Sequence, residues 1–346
     1  MNELLDVRKM RILEAIVDDY ILTAVPVGSR TLSKHENIEL SPATIRNEMS
    51  DLTDLGLLEQ PHTSAGRVPS EKAYRLYVES IMKSAKLTDD ETEYIKRHLN
   101  QRVNEVNEVI HKTATMLSGI TNYTSVVLTP QLKNARLKRI SLIPVTPGSI
   151  LAVVVTNSGY TTSVQSDVPE AVTEQDLEKL ATIMNERFAG YKLTDISSKL
   201  VPLLREEIGE QADVIAGMLN DLGKDISKQE VEVAGAANML DYPEYADAGK
   251  AKSFIAEIEN GEYIKSVLKD DNGVEMTVHI GAENESPEFK DCSVVTVSYK
   301  IGDERVGSMG VIGPTRMDYG KVVAVLKCMS ESLGQVLSNM LEGYNK

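Results

Sequence analysis

Tryptophan is absent from the 346 residues and phenylalanine occurs only 3 times, so burial falls to aliphatic side chains, which a hydrophobic content of 42% supplies for two or three domains. Cysteine is nearly absent too. Cys292 and Cys328 lie far apart, which excludes a disulfide framework and any CxxC metal or redox site, and both read as small buried hydrophobes. The 5 histidines, His35, His62, His98, His111 and His279, make no HxH or HExxH pair. Neither GxSxG nor a P-loop occurs, so no hydrolase, zinc enzyme or nucleotide-triphosphate site is expected, and no metal or cofactor. No stretch approaches the roughly 18 apolar residues of a membrane helix. Residues 1–6 carry no basic region leading into an apolar signal, and the expected location is the cytoplasm.

Positive charge is also scarce, with 37 lysines and arginines against 52 acidic residues and a net charge of −15. That excludes a protein that coats nucleic acid over its whole surface, but not a local patch. In 60–78, Arg67, Lys72 and Arg75 stand against Glu71 alone. Such a run suits a regulator that releases non-specific DNA readily, or a merely solvated face.

What is present begins with an amphipathic helix over 7–22, in which Met10, Leu13, Ile16, Val17, Tyr20 and Ile21 recur at helical spacing. Pro26 and Gly28 break it, and Ser29 is read as the cap of a short helix reaching Glu36. Ser41 before Pro42 starts a third helix with Ile45, Met49 and Leu52 as its buried stripe and Gly56 as its stop. Residues 57–60 read as a strand and 61–69 as a turn-rich hairpin tip. Three short helices and a hairpin predict a winged helix-turn-helix over 1–85. Its last helix opens at Ser70 and Glu71, and 83–87 form a hinge.

Thr88 and Glu91 make a capping box for a long connector helix over 86–121 with a nearly heptad seam, suited to packing on a partner copy. β-Branched runs follow at 125–128, 137–145, 150–156 and 160–165, then a helix opened by Thr173 and Asp176. Mostly helical sequence continues to about 266, and strands return at 274–280, 293–300 and 305–312. A final helix carries Val322, Leu326, Met329, Leu333, Val336 and Met340. The simplest architecture is an α+β sensor-like domain over 105–200 and 270–346, interrupted by an insertion over 200–270. No internal repeat or low-complexity tract occurs.

A helix after a short turn can lie in the major groove, where arginine matches guanine and asparagine matches adenine bidentately. On the third helix Ala43, Asn47 and Ser50 oppose the Ile45 stripe, with Ser41 at its start and Thr44 and Arg46 on the flanks. Arg46 and Asn47 are the base-reading candidates. His62, Thr63, Ser64 and Arg67 lie on the hairpin, where the hydroxyls suit phosphates and Arg67 the minor groove. Lys72 and Arg75 are candidate phosphate contacts. The glycines at 307, 310 and 313, ahead of a helix opened by Thr315 and Asp318, suit either close packing or an anion site.

The segments Pro26-Val27-Gly28-Ser29-Arg30-Thr31-Leu32, Leu40-Ser41-Pro42-Ala43-Thr44-Ile45-Arg46-Asn47-Glu48-Met49, Gln60-Pro61-His62-Thr63-Ser64-Ala65-Gly66-Arg67-Val68-Pro69 and Gly310-Val311-Ile312-Gly313-Pro314-Thr315-Arg316-Met317 resemble the HrcA family of bacterial heat-inducible repressors. The resemblance implies a winged helix, a GAF-like domain and an inserted dimerisation domain. It implies repression of chaperone operons of the groE and dnaK type by a homodimer on double-stranded DNA carrying the inverted-repeat operator CIRCE. It also implies the GroEL chaperonin as the partner that keeps the repressor competent. A ligand-responsive repressor sensing a small molecule through the sheet domain is the competing expectation.

Overall fold

The computed structural model describes residues 5–63, 65–82, 85–99, 106–131, 136–157, 161–196, 229–269 and 274–342. Ser64, residues 83–84 of the expected hinge and residues 200–228 of the expected insertion lie outside them.

Helix α1 (Val7–Thr23) starts where the Asp6 carboxylate accepts the Lys9 N–H at 2.8 Å, and ends at Ala24, whose φ of 54° is left-handed. It buries Ile12, Leu13, Ile16 and Val17. Helix α2 (Ser29–Leu32) has Gly28 at its cap, so Ser29, expected to cap, is instead its first residue. Helix α3 (Pro42–Asp54) is capped by Ser41 and buries Ile45, Met49 and Leu52 as the periodicity predicts, together with Glu48. Lys9 binds Glu48 at 2.9 Å and Asp51 at 3.1 Å, tying α1 to α3. Strand β1 (Leu58–Glu59) pairs antiparallel with β2 (Val68–Pro69), and Val27 bridges to Arg67, so the α1–α2 turn adds a third edge to the hairpin. Ser70 caps α4 (Glu71–Leu76), which continues as a wider turn over Tyr77–Ile81.

The Thr88–Glu91 box opens α5 (Asp89–Leu99), and α6 (Val106–Thr121) follows. The connector expected as one long helix is thus described as two, with 100–105 outside the described residues. The remaining strands in chain order are β3 (Thr124–Leu128), β4 (Leu137–Thr146), β5 (Ser149–Thr156), β6 (Thr161–Asp167), β7 (Val231–Ala234), β8 (Met276–Ile280), β9 (Cys292–Ile301) and β10 (Glu304–Pro314).

Five of them form an antiparallel sheet in the order β7-β3-β10-β9-β8. Valine, isoleucine and threonine recur along its strands, and both faces are covered. Val127, Val295, Val297, Met309 and Val311 point into a core shared with α6 and the C-terminal helix Tyr319–Glu342, and that core runs on without a break into α1, α3 and α4. Val126, Leu128, Val294 and Ile312 point the other way, under the helices Ala248–Asn260 and Glu262–Lys269. Cys292 lies in that second layer with its sulfur 2.6 Å from the Tyr245 hydroxyl, and burial pushes its thiol up to about 12. It packs as a small hydrophobe.

Strands β4, β5 and β6 pair as a separate sheet, roofed by α7 (Glu174–Phe188) over a core of its own built on Ile140, Ala152, Val154, Leu180 and Met184. The capping box at Thr173 and Asp176 starts α7 as expected. This corrects the expected layout. The strands at 137–165 do not join the sheet of β3, and residues 231–269, assigned to the insertion, contribute β7 to that sheet and two helices to its face. Periodicity locates strands but does not choose their partners.

The glycine-rich run is interior strand. At Gly307 the Tyr299 ring occupies the place a side chain would take, and its hydroxyl donates to the Leu128 carbonyl at 2.6 Å. Asp318 caps the C-terminal helix by accepting the Lys321 N–H. Close packing accounts for these glycines. Among the described residues no helix is long and apolar enough to cross a membrane.

Candidate nucleic-acid interface

Three segments converge beside α3. Helix α3 stands on its buried stripe, so Ala43, Arg46, Asn47 and Ser50 are exposed along the opposite side. At its start the Ser41 oxygen accepts the Thr44 N–H at 3.1 Å and lies 2.9 Å from the Thr44 hydroxyl, so these two residues build the helix end. Arg46 and Asn47 have no side-chain partner among the described residues.

The hairpin is folded onto this helix. Gln60 donates its amide to the carbonyls of Thr63 at 3.0 Å and Ala65 at 3.2 Å, closing the tip, on which His62 and Thr63 are exposed. Gly66 lies against the backbone of Pro26 and Val27, where no side chain fits. Arg67 and Val27 exchange backbone hydrogen bonds of 2.9 and 2.8 Å. The Arg67 side chain therefore does not project from the tip. Its Nε donates to the Thr53 hydroxyl at 3.0 Å, back on α3.

Between α2, α3 and the hairpin lies a cleft of about 560 Å³ walled by Ser29, Arg30, Arg46, Gln60, Thr63 and Arg67, among others. Sequence reading missed Arg30. The available signal was its place on α2, exposed beside the buried Leu32.

Lys72 and Arg75 are not part of this cluster. Lys72 donates to the Leu55 carbonyl at 3.2 Å and so caps the far end of α3, keeping its ammonium exposed. Arg75 faces away altogether, held by Glu283 and by the Val278 carbonyl at 2.6 Å. That partnership competes with its expected phosphate contact and lies in a part of the chain that local pattern does not link to it. Burial alone would raise the Glu283 carboxyl, yet the Arg75 guanidinium and the Ile280 N–H hold it below its ordinary value.

The same side of the unit is fixed at two further points. Arg316 donates to the Ile21 carbonyl at 3.2 Å while paired with Glu244 at 2.6 Å. Tyr74, 2% exposed, packs against Tyr319 with ring centroids 6.1 Å apart. The hairpin and the exposed side of α3 are left outward.

Comparison with known proteins gives concordant matches. The family described as HrcA protein C terminal domain matches residues 107–323. A heat-inducible transcription repressor HrcA from Acetivibrio thermocellus is 40% identical over 342 residues, 97% of each chain. One from Pelotomaculum thermopropionicum is 40% identical over 344 residues, 98% of this chain and 99% of its own. A crystal structure of a hypothetical protein at 2.2 Å resolution shares the fold, with a TM-score of 0.68 and 22% identity over 97% of this chain and 99% of that one.

Proposed function

The chain belongs to the HrcA family, and on that premise we propose that it is a heat-inducible transcription repressor that binds an inverted-repeat operator as a dimer. The observation that carries this reading is the outward side of α3, where Arg46 and Asn47 stand without partners beside a hairpin braced against the same helix. We read residues 5–82 as a winged helix-turn-helix and the five-stranded sheet with its two helical layers as the GAF-like domain. The inserted dimerisation domain is placed between β3 and β7.

In this reading Arg46 and Asn47 contact base edges, flanked by Ser41, Thr44 and Ser50. His62 and Thr63 follow the backbone, and Lys72 adds a distal phosphate contact. Two-fold symmetry sets two such helices on two half-sites, with the spacing fixed by the dimer. The operator is CIRCE upstream of chaperone operons, and GroEL maintains the binding-competent fraction in the cytoplasm; only folded repressor binds, so chaperonin supply tunes repression. In a ligand-responsive regulator, the outer face of the five-stranded sheet would be the natural pocket. Here Tyr245, Phe254, Tyr263 and Phe289 pack on one another across it, with centroids 5.1 to 5.6 Å apart.

The test is a mobility-shift titration on operator and scrambled duplexes, with and without GroEL. Preference for the operator that strengthens with chaperonin is the expected result. Equal binding to both duplexes would reject operator recognition. Arg46→Ala is expected to cost about 1 to 3 kcal/mol on the operator alone.

A further inference from the structure

The geometry points to a phosphodiester clamp in the cleft between α2, α3 and the hairpin, in which Arg30 and Arg67 grip one backbone phosphate of the bound duplex; this rests on the DNA-binding reading above and goes further by naming the contact that sets register. The chain carries an acidic excess of 15 charges, and several arginines elsewhere are paired with carboxylates. Arg8 holds Glu48, Arg75 holds Glu283, Arg97 holds Glu93 and Arg316 holds Glu244. In this cleft Arg30, Arg46 and Arg67 approach from three separate segments with no carboxylate partner among the described residues. Among the described residues the one side-chain hydrogen bond these three arginines make runs from Arg67 Nε to the uncharged Thr53 hydroxyl. That bond fixes the Arg67 side chain and leaves both Nη groups for an anion.

The walls are also pre-formed. The Val27 to Arg67 backbone pairing sets the hairpin edge, Gly66 lets it approach, and Gln60 holds the tip closed. A tetrahedral monoanion between two guanidinium forks gains paired charge-assisted hydrogen bonds, and neutral donors at Ser29 and Thr63 border it. A base edge fits less well for Arg30 and Arg67. They flank α3, whereas Ala43, Asn47 and Ser50 form the side that enters a groove. Contacts of this kind fix register and carry the salt dependence without reading sequence.

The experiment measures binding of the full chain to operator and scrambled duplexes across a salt series, for the wild type, Arg30→Gln and Arg67→Gln. Each variant is expected to lower the slope of log K against log salt by about one, equally on both duplexes, leaving their ratio unchanged. The Arg30 side chain is exposed and makes no hydrogen bond or ion pair among the described residues, so Arg30→Gln decides the matter even if Arg67→Gln loosens the hairpin. A scan of single methylphosphonate substitutions along the operator is expected to reveal one position that weakens the wild type but not Arg30→Gln. An unchanged slope in Arg30→Gln, or a loss confined to the operator, would overturn the clamp while leaving operator binding intact. Failure of the wild type to bind either duplex would overturn both readings.

Discussion

Arg75 grips Glu283 across 208 positions of sequence, with Nε donating to Oε1 at 2.9 Å and one Nη to both Oε2 and the Val278 carbonyl. Beside it the Glu71 carboxylate accepts the Ala282 N–H at 3.1 Å and fills the space above Gly281, whose φ of +55° favours glycine. Helix α4 is thereby seated on the turn that follows edge strand β8.

Because both charges are partly exposed, solvent screens the pair. Arg75→Ala is expected to cost about 1 kcal/mol of stability, measured by urea unfolding, and to raise hydrogen exchange in α4. It should leave the salt slope of DNA binding unchanged. A lowered slope would restore Arg75 to the phosphate contacts.

The pair also sets a pH window. Glu283 is held below its ordinary value of 4.5 in the folded chain, so its contribution is fully present above that value and is lost as pH falls through the lower folded one. Urea midpoints of the wild type and Glu283→Gln should run parallel from neutral pH down to about 5. Below that they should converge, and a constant gap down to pH 3 would contradict the assignment.

Gly66 and Gly119 form a matched pair. A Cβ on Gly66 would strike the Val27 and Pro26 carbonyls, so Gly66→Ala must part the hairpin from the α1–α2 turn, at about 1 to 3 kcal/mol and with weaker DNA binding. Gly119, exposed on α6, has open space, so Gly119→Ala should add about 0.5 to 1 kcal/mol. Chemical denaturation of both variants gives the two signs.

In the sheet, Tyr299 is 1% exposed and bonds the Leu128 carbonyl through its hydroxyl. Tyr299→Phe leaves that bond unmade at an expected cost of about 1 to 2 kcal/mol. Gly307→Ala displaces the whole ring and should cost more, by differential scanning calorimetry. Equal losses would mean that the ring has room to shift.

Much of this molecule was legible because it rests on local physics. Ser41, Ser70, Thr88 and Thr173 cap the helices that follow them, and the Ile45 stripe left Arg46 and Asn47 outward. Where the reading failed, the deciding atoms were remote in sequence. Arg67 looked like a hairpin tip until Thr53 claimed its Nε, and Arg75 looked basic and free until Glu283 took it. Arg30 escaped notice because one exposed arginine on a four-residue helix has no pattern of its own.

The sequence by itself determined most helix starts, the strands other than β7 and the outward residues of α3, since capping groups and side-chain periodicity act within a turn or two of the chain. Only the tertiary structure decided that β4, β5 and β6 leave the main sheet while β7 enters it, and which arginines pair with carboxylates. Strand partners and ion pairs are chosen by closing long loops around a shared core, and nothing local to either partner records that choice.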